Sequence, residues 1–218
     1  MADTRDASAV LDEILALAGR AGVPVDEVDR DRIDDRAEGL VHQGVLALAP
    51  AFAYATLDEV RRVAGAQPLL LVALDSVTDP HNLGSIARTA DAVGAHGLLV
   101  PARRAASVTP TAEKAAAGAL AHLPVVQVTN LVRTLRGLQG DGVWAVGLAG
   151  EAATAIGDSR LLGDPLVLVV GAEGHGLSRL TAQTCDELVH LPMRGAVGSL
   201  NASVAAAVAL YEVLRHRA

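Results

Sequence analysis

From residue 69 onwards, short apolar runs alternate with longer stretches in which apolar residues recur every three or four positions. Within the runs, apolar and polar residues do not alternate, which indicates strands buried on both faces. Helical stretches such as SIARTADAVG, TAEKAAAGALA and NLVRTLRGLQ lie between most of the runs. This order predicts an α/β fold built on a parallel sheet. The predicted strands are LLLVAL, HGLLV, PVVQV, VWAVGL, LVLVV and ELVHL.

The last segment, SLNASVAAAVALYEVLRHR, predicts a long helix rich in alanine. Small side chains let a helix pack closely against another helix, either within the chain or in a second copy. Because dimers are the commonest closed assembly, we expect this helix to lie in a homodimer interface.

The first 66 residues show a shorter and mixed pattern. SAVLDEILALAGRAG predicts a helix that ends at Gly22, and VPVDEV and GVLALA predict two short strands. A linker and a short helix follow and end at Pro68. This is too little for a closed core, so we predict a small first domain with its linker over residues 1–66 and a main domain over residues 67–218.

Composition narrows the class of protein. With 218 residues and 51% hydrophobic content, the chain can bury a sizeable core. The single cysteine, Cys185, cannot form an internal disulfide, and the seven histidines show no ligand spacing, so we expect no metal site. No apolar run reaches membrane-spanning length and the start has no export signal, so we expect a cytoplasmic protein without a membrane segment.

The formal net charge of −7 argues against a nucleic-acid partner, because phosphate contacts require Lys or Arg. The net charge describes the whole chain and not its local surface. The arginine pairs Arg61 with Arg62 and Arg103 with Arg104 can form local positive patches. Aromatic residues make up only 2%, so an RNA site here would rely on backbone and ribose contacts rather than on base stacking.

Three loops that follow predicted strands carry polar residues. In DPHNLGSIART, Asn82 and Gly84 belong to a loop that leads into a helix carrying Arg88. VVGAEGHGLS contains Glu173, and LPMRGAVGSLNASVA contains Ser199 and Asn201 at a helix start. Ligands of open parallel sheets bind beyond the carboxyl ends of the strands, so these loops predict one common site.

Each loop alone also has a simpler interpretation, as a turn or, for Asn82 and Ser199, as a helix cap. We assign no role to His81, His175 or Cys185. A dinucleotide-binding oxidoreductase is disfavoured, because the chain lacks both G-x-G-x-x-G and the acidic ribose ligand that follows it.

NLGSIART, VVGAEGHGLS and LPMRGAVGSLN, in this order and spacing, resemble the three motifs of the SpoU/TrmH-type RNA ribose 2′-O-methyltransferases of the SPOUT superfamily. The resemblance covers residues 69–216. Upstream, GLVHQGVLALA is similar to the end of the ribosomal-protein-like RNA-binding domain of bacterial members that methylate a guanosine of 23S rRNA. LDSVTDPHNLG and VTNLVRTLRGLQ share this narrower resemblance.

The resemblance implies a trefoil knot at the carboxyl end of the sheet that holds S-adenosylmethionine. It also implies a homodimer in which Arg88 of one subunit lies near the cofactor of the other. Gly171, Leu191 and Leu200 would line the cofactor site, and the residues close to it would be Gly147, Leu148, Glu173, Met193 and Ser199.

For catalysis the resemblance implies Asn82, Arg88, Glu173, Ser199 and Asn201, and assigns deprotonation of the ribose 2′-hydroxyl to the arginine. A guanidinium stays protonated in proteins. We therefore expect Arg88 to clamp the substrate phosphate and polarise the hydroxyl, while the phosphate or a water takes the proton. Glu173 is expected to hold Arg88, and the other three residues to orient the ribose and stabilise the closed loop.

Members with the small first domain usually begin with a further strand and helix before the stretch that matches SAVLDEILALAGRAGVPV. The resemblance therefore implies a partial RNA substrate-binding domain here. We expect weak RNA binding and an exposed strand edge or apolar patch around residues 23–49.

The leading hypothesis is methylation of a guanosine in 23S rRNA. The same motifs would serve a tRNA or an antibiotic-target rRNA nucleotide equally well. A hypothesis of another class is a non-catalytic RNA-binding or ribosome assembly factor, which the acidic charge and short first domain suggest and the intact candidate catalytic residues oppose.

Overall fold

The computed structural model describes residues 4–37, 39 and 41–217. It contains two compact units, Met1–Pro50 and Ala51–Ala218. This division lies before the boundary predicted at residue 66, because the linker belongs to the larger unit. Ala55 forms a parallel bridge with Val126, and the buried side chain of Val60 covers Gly97.

The smaller unit contains the helices α1, Thr4–Ala21, and α2, Arg30–Ala37. The helix predicted to end at Gly22 is confirmed, and Gly22 has a φ of +67°. The two strands predicted for VPVDEV and GVLALA are wrong, since both segments are irregular. Val23, Val25 and Leu48 are more than half exposed, so these segments bury no apolar face that would stabilise a strand pair.

The larger unit is built on a seven-stranded sheet in the order β3-β2-β1-β6-β4-β7-β5. Every strand pair is parallel, which confirms the predicted parallel α/β architecture. In chain order the elements are α3 Leu57–Ala64, β1 Leu70–Asp75, α4 Pro80–Ala92, β2 Gly97–Pro101, α5 Pro110–Ala116, β3 Val125–Val128, α6 Leu131–Gly140, β4 Trp144–Leu148, β5 Thr154–Ala155, β6 Leu166–Gly171, α7 Arg179–Thr184, β7 Glu187–His190 and α8 Ala202–Arg217.

The sheet is covered on both faces. Alternate residues of β1 enter two separate apolar clusters, with Leu70 and Val72 on one face and Leu71 and Ala73 on the other. The first cluster includes side chains of α4, α5 and α8, and the second includes side chains of α3 and α6. Burial on both faces explains why the strands read as continuous apolar runs. No helix in the described ranges is both long and apolar enough to span a membrane.

The alanine-rich helix α8 uses its small residues within the chain. Ala206 and Ala209 are fully buried in the core on the side that contacts α4. The opposite side of α8 exposes larger apolar residues, so the small face is not the surface left for a second copy. These exposed residues are Val204, Val208, Tyr211 and Leu214.

His96, which is buried just before β2, makes the stability of the fold depend on pH. Its Nδ1 accepts the Leu70 N–H at 2.9 Å, and its Nε2 lies 3.2 Å from Oε1 of Gln67. Burial, and then the charge of Arg217, lower the pKa of His96. Because the pKa is lower in the folded than in the unfolded state, the stabilisation is complete above about pH 6.5 and is lost as the pH falls towards the folded-state value.

We therefore expect the free energy of unfolding to decrease between pH 7.5 and 5, and to decrease less in His96→Gln, whose amide oxygen can still accept the Leu70 N–H. Urea unfolding at several pH values measures this difference. Parallel pH profiles for the two proteins would contradict the assignment.

Candidate functional site

A cavity of about 210 Å³ lies beyond the carboxyl ends of β4, β6 and β7. Leu148 ends β4, Gly171 ends β6, and Leu191 directly follows β7. The structure places seven of the eight predicted cofactor-binding residues in the wall of this cavity, namely Leu148, Gly171, Glu173, Leu191, Met193, Ser199 and Leu200.

Gly147, which directly precedes Leu148 in β4, is the exception, because it does not line the cavity. A Cβ at this position would lie 2.7–2.9 Å from side-chain atoms of Leu177, Leu188 and Cys185. The glycine therefore allows β4 to pack closely against β7 and against the segment between β6 and β7.

Ala149 and Gly150, which follow β4, and Ala205 in α8 also line the cavity, although they are not among the residues predicted from the sequence. The strand-end rule that identified the other loops applies equally to the loop after β4. Ala205 gave no signal, because an alanine in the first turn of an alanine-rich helix resembles its neighbours.

The loop after β6 folds back tightly on itself. The N–H groups of Ala172 and Gly176 donate to each other's carbonyls at 3.1 and 2.9 Å. A Cβ on Gly171 would lie 2.2–2.5 Å from backbone atoms of Gly176 and Leu177, so no other residue fits there without moving the loop. At its far end, the Ser178 N–H donates to Oδ2 of the buried Asp75 at 2.7 Å.

A hydrogen-bonded group joins the three predicted loops. Nδ2 of Asn82 donates to Oε1 of Glu173 at 2.9 Å, and Nδ2 of Asn201 donates to the same oxygen. Nδ2 of Asn201 also lies 3.0 Å from Oδ1 of Asn82, and the Ala202 N–H donates to Glu173 at 3.4 Å. Three of the five predicted catalytic residues therefore form one connected group at the rim of the cavity.

Neither Asn82 nor Ser199 is a helix cap. Helix α4 begins at Pro80 and is capped by Asp79, whose Oδ1 accepts the His81 N–H at 2.9 Å. Asn82 is thus a buried residue of the first helical turn, and not part of a loop leading into the helix. At α8 the capping oxygen is Oδ1 of Asn201, while Ser199 is exposed in the preceding loop.

Gly84, which the sequence suggested as a loop residue, lies inside α4 and packs against α5. A Cβ there would lie 2.2 Å from the carbonyl oxygen of Ala112. The glycine is therefore required for close approach of the two helices.

Arg88 is exposed and lies apart from this group. Six residues along an α-helix rotate the side chain by about 600°, so Arg88 points roughly 120° away from Asn82. Among the described residues, none makes a hydrogen bond or an ion pair with the guanidinium of Arg88. The predicted contact between Glu173 and Arg88 is therefore not made within one chain, where Glu173 binds the two asparagines instead.

The charge of the cavity suits a cationic or neutral ligand better than a pyrophosphate. Glu173 is the only carboxylate among the lining residues, and no lysine or arginine lines the wall. Most of the wall consists of apolar side chains and glycine backbone. Dinucleotide-binding sites instead present a glycine-rich helix start to their pyrophosphate.

Thiolate chemistry is excluded at Cys185. Burial, and then the charges of Asp186 and Asp75, raise the pKa of this thiol to about 12, so it stays protonated at neutral pH. Within the described part of the chain, no three His, Cys, Asp or Glu side chains are grouped so that they could hold a metal ion.

Two family models match the chain. The SpoU rRNA Methylase family matches residues 69–211, and the model described as RNA 2'-O ribose methyltransferase substrate binding matches residues 3–55. The chain is 50% identical over 210 residues to the 23S rRNA (guanosine-2'-O-)-methyltransferase RlmB of Pseudomonas putida, with 95% of this chain and 84% of that protein aligned.

Solved structures agree with this match. The SpoU methyltransferase AviRb from Streptomyces viridochromogenes, in complex with the cofactor AdoMet, has a TM-score of 0.66 and 35% identity over 74% of this chain and 62% of that chain. The AdoMet-bound rRNA methyltransferase from Sinorhizobium meliloti has a TM-score of 0.75 and 26% identity over 94% of this chain and 77% of that chain. The chain belongs to the SpoU rRNA methylase family.

Proposed function

We propose that this protein transfers a methyl group from S-adenosylmethionine to the ribose 2′-hydroxyl of a guanosine in 23S rRNA. The observation that carries the proposal is the cavity at the carboxyl ends of β4, β6 and β7, with Asn82, Glu173 and Asn201 joined at its rim. The relative from P. putida, half identical to this chain, supports the choice of RNA and nucleotide.

The cavity fits S-adenosylmethionine in its chemistry. Leu148, Leu191 and Leu200 provide apolar walls for the adenosine, and Glu173 provides the one negative charge near a positively charged ligand. When bound, the cofactor supplies an electrophilic methyl group on a sulfonium. Gly171, Met193 and Ser199 complete the set of residues that would hold it.

The asparagine–glutamate group keeps the loops around the cavity closed. Glu173 lies on the loop after β6, while Asn82 and Asn201 lie on α4 and at the start of α8. Two amide groups and a backbone N–H donate to one carboxylate oxygen, which fixes the carboxylate and both helix starts together. We assign to these residues and Ser199 the orientation of the ribose.

We infer that the loops after β6 and β7 form a trefoil knot. The contacts of Glu173 with Asn201 and with the Ala202 N–H support this, because they hold the two loops against each other at the carboxyl edge.

We propose that residues 1–66 form the RNA substrate-binding domain with its linker, which the family model for residues 3–55 supports. A ribosomal RNA substrate implies that the protein works in the cytoplasm.

We propose that the active form is a homodimer in which Arg88 acts at the site of the other subunit. Within one chain Arg88 points away from Asn82, and its guanidinium has no partner in the described part. In a dimer, the guanidinium can instead reach the candidate site of the second copy. The exposed apolar side of α8 suits the contact, since Val208, Tyr211 and Leu214 line one shallow groove.

Tyr211→Glu is expected to turn the dimer into a monomer, because a buried unpaired charge costs several kcal/mol. Val63→Glu is the matched control, since Val63 is a similarly exposed apolar residue on helix α3. Light scattering should give twice the chain mass of 22.3 kDa for the unchanged chain and for the control. A monomeric unchanged chain, or a dimeric Tyr211→Glu variant, would contradict the proposed interface.

The function is tested by mapping ribose methylation on total RNA from cells with and without this gene, and by adding the purified protein and S-adenosylmethionine to RNA from the cells that lack it. A single guanosine of 23S rRNA should lose its methyl group and regain it. A change in tRNA or at another rRNA nucleotide would correct the substrate. No change at any ribose would favour a non-catalytic assembly factor.

A further inference from the structure

Two arginines without partners follow β2 at the carboxyl edge of the sheet. Arg103 and Arg104 are both exposed. In the described ranges, neither makes a hydrogen bond or an ion pair. Their charges are therefore available to a ligand.

The other arginine pair that the sequence suggested as a positive patch is already neutralised. Arg61 pairs with Asp141 and with Asp58, and Arg62 pairs with Glu59. The structure thus distinguishes the two pairs, and of these only the pair after β2 has no carboxylate partner among the described residues.

The loop that carries the free pair is held at both ends. The Ala102 N–H donates to the Val128 carbonyl and the Ala106 N–H to the Val77 carbonyl, each at 2.8 Å. Between these anchors Arg104 has a φ of +57°, a region that residues with a Cβ seldom occupy. Backbone strain of this kind concentrates at functional sites.

The two loops that carry the pair and lead into Arg133 lack acidic residues although the chain as a whole is acidic, while the neighbouring loop after β1 contains Asp79, whose Oδ1 accepts the His81 N–H. The loops at residues 102–109 and 129–130, which follow β2 and β3, contain no carboxylate. Arg133, in the first turn of α6 after β3, is also exposed, and its guanidinium has no hydrogen-bond or ion-pair partner among the described residues. The net charge of −7 therefore does not describe this part of the surface.

We propose that Arg103 and Arg104 bind the phosphate backbone of the RNA beside the target nucleotide. The proposal rests on the proposed function and adds a substrate-binding surface to it. In the sheet β2 is followed by β1 and β6, so this loop lies about two strand spacings, roughly 10 Å, from the strand that leads to Glu173. Guanidinium groups bind phosphate through two parallel hydrogen bonds.

The test measures RNA binding by fluorescence anisotropy over a range of salt concentrations. The probes are a labelled 23S rRNA fragment and an unrelated single-stranded RNA of equal length. Arg103→Ala combined with Arg104→Ala should weaken binding about tenfold or more and lower the salt slope by about 0.7 for each lost contact. Both RNAs should be affected, since phosphate contacts carry no sequence information. The matched control is Arg160→Ala, an exposed arginine before β6 at the opposite edge of the sheet.

Arg104→Gly separates the contact from the fold. Glycine adopts a φ of +57° without strain, so the thermal midpoint should stay equal or rise while RNA affinity falls. Affinity for S-adenosylmethionine should stay unchanged in all variants. Unchanged RNA affinity and salt slope in Arg104→Gly and in the double variant would overturn the proposal. The unchanged chain could also fail to methylate any RNA while these variants still lose RNA binding. That result would support the proposed RNA-binding surface and refute only the proposed function.

Discussion

Replacing Arg88 with lysine or with alanine is expected to reduce methyl transfer about 100-fold or more, with little change in affinity for S-adenosylmethionine. Arg88 is exposed on α4 and does not line the cavity, so its removal should leave the cofactor site unchanged. Lysine keeps the positive charge but loses the planar fork that holds a phosphate through two hydrogen bonds. If Arg88 clamps the substrate phosphate, both variants lose the clamp.

Single-turnover transfer to a 23S rRNA transcript measures the rate, and calorimetry measures cofactor affinity. Arg136→Ala is the matched control, because Arg136 is also an exposed arginine on a helix, and its guanidinium also has no partner within the described ranges. A lysine variant with near-normal rates would leave only charge attraction as the role of Arg88. Normal rates in both variants would make Arg88 an ordinary surface residue, whose replacement changes stability by a few tenths of a kcal/mol.

The parallel sheet was predictable because its strands are buried on both faces and therefore read as apolar runs. The two-residue strand β5, Thr154–Ala155, was not predictable, since two residues carry no pattern. The two strands predicted in the first 50 residues were wrong although a strand pattern is present there. Their valines follow a strand pattern, but a strand also needs a partner and a covering layer, which sequence pattern does not report.

The candidate site was predictable as a set of loops but not as a geometry. The carboxyl ends of parallel strands meet at one edge, which brings Asn82, Glu173 and Asn201 together. The direction of each side chain depends on where a helix begins. Asp79 is a helix cap and Pro80 is a first-turn proline, and both indicate a helix start. Gly84 suggested instead that the loop continues. Because the helix starts at Pro80, Asn82 and Arg88 lie on the same helix, and their side chains point in different directions.

The difference between the two arginine pairs was also only partly predictable. Asp58 and Glu59 lie three residues before Arg61 and Arg62 on a helix, which is a spacing that favours ion pairs. The contact of Arg61 with Asp141, far along the chain, requires the folded structure.

Leu200→Glu is expected to weaken binding of S-adenosylmethionine about 100-fold or more without unfolding the protein. Leu200 is part of the apolar wall of the cavity and is 39% exposed, so the free protein can leave a carboxylate there in water. A bound ligand would force that charge to lose its hydration beside the carboxylate of Glu173, which also lines the cavity. Leu200→Met, which keeps the volume and apolar character, should bind the cofactor almost normally.

Val197→Glu is the matched control for the charge itself. Val197 lies on the same loop, is 69% exposed and does not line the cavity, so a carboxylate there stays in water whether or not a ligand is bound. Calorimetry with S-adenosylmethionine should therefore separate Leu200→Glu from both other variants, while thermal midpoints stay close to that of the unchanged chain. Equal cofactor affinity in Leu200→Glu and Val197→Glu would show that the cofactor does not occupy this cavity, because a charge in its wall could then be added without consequence.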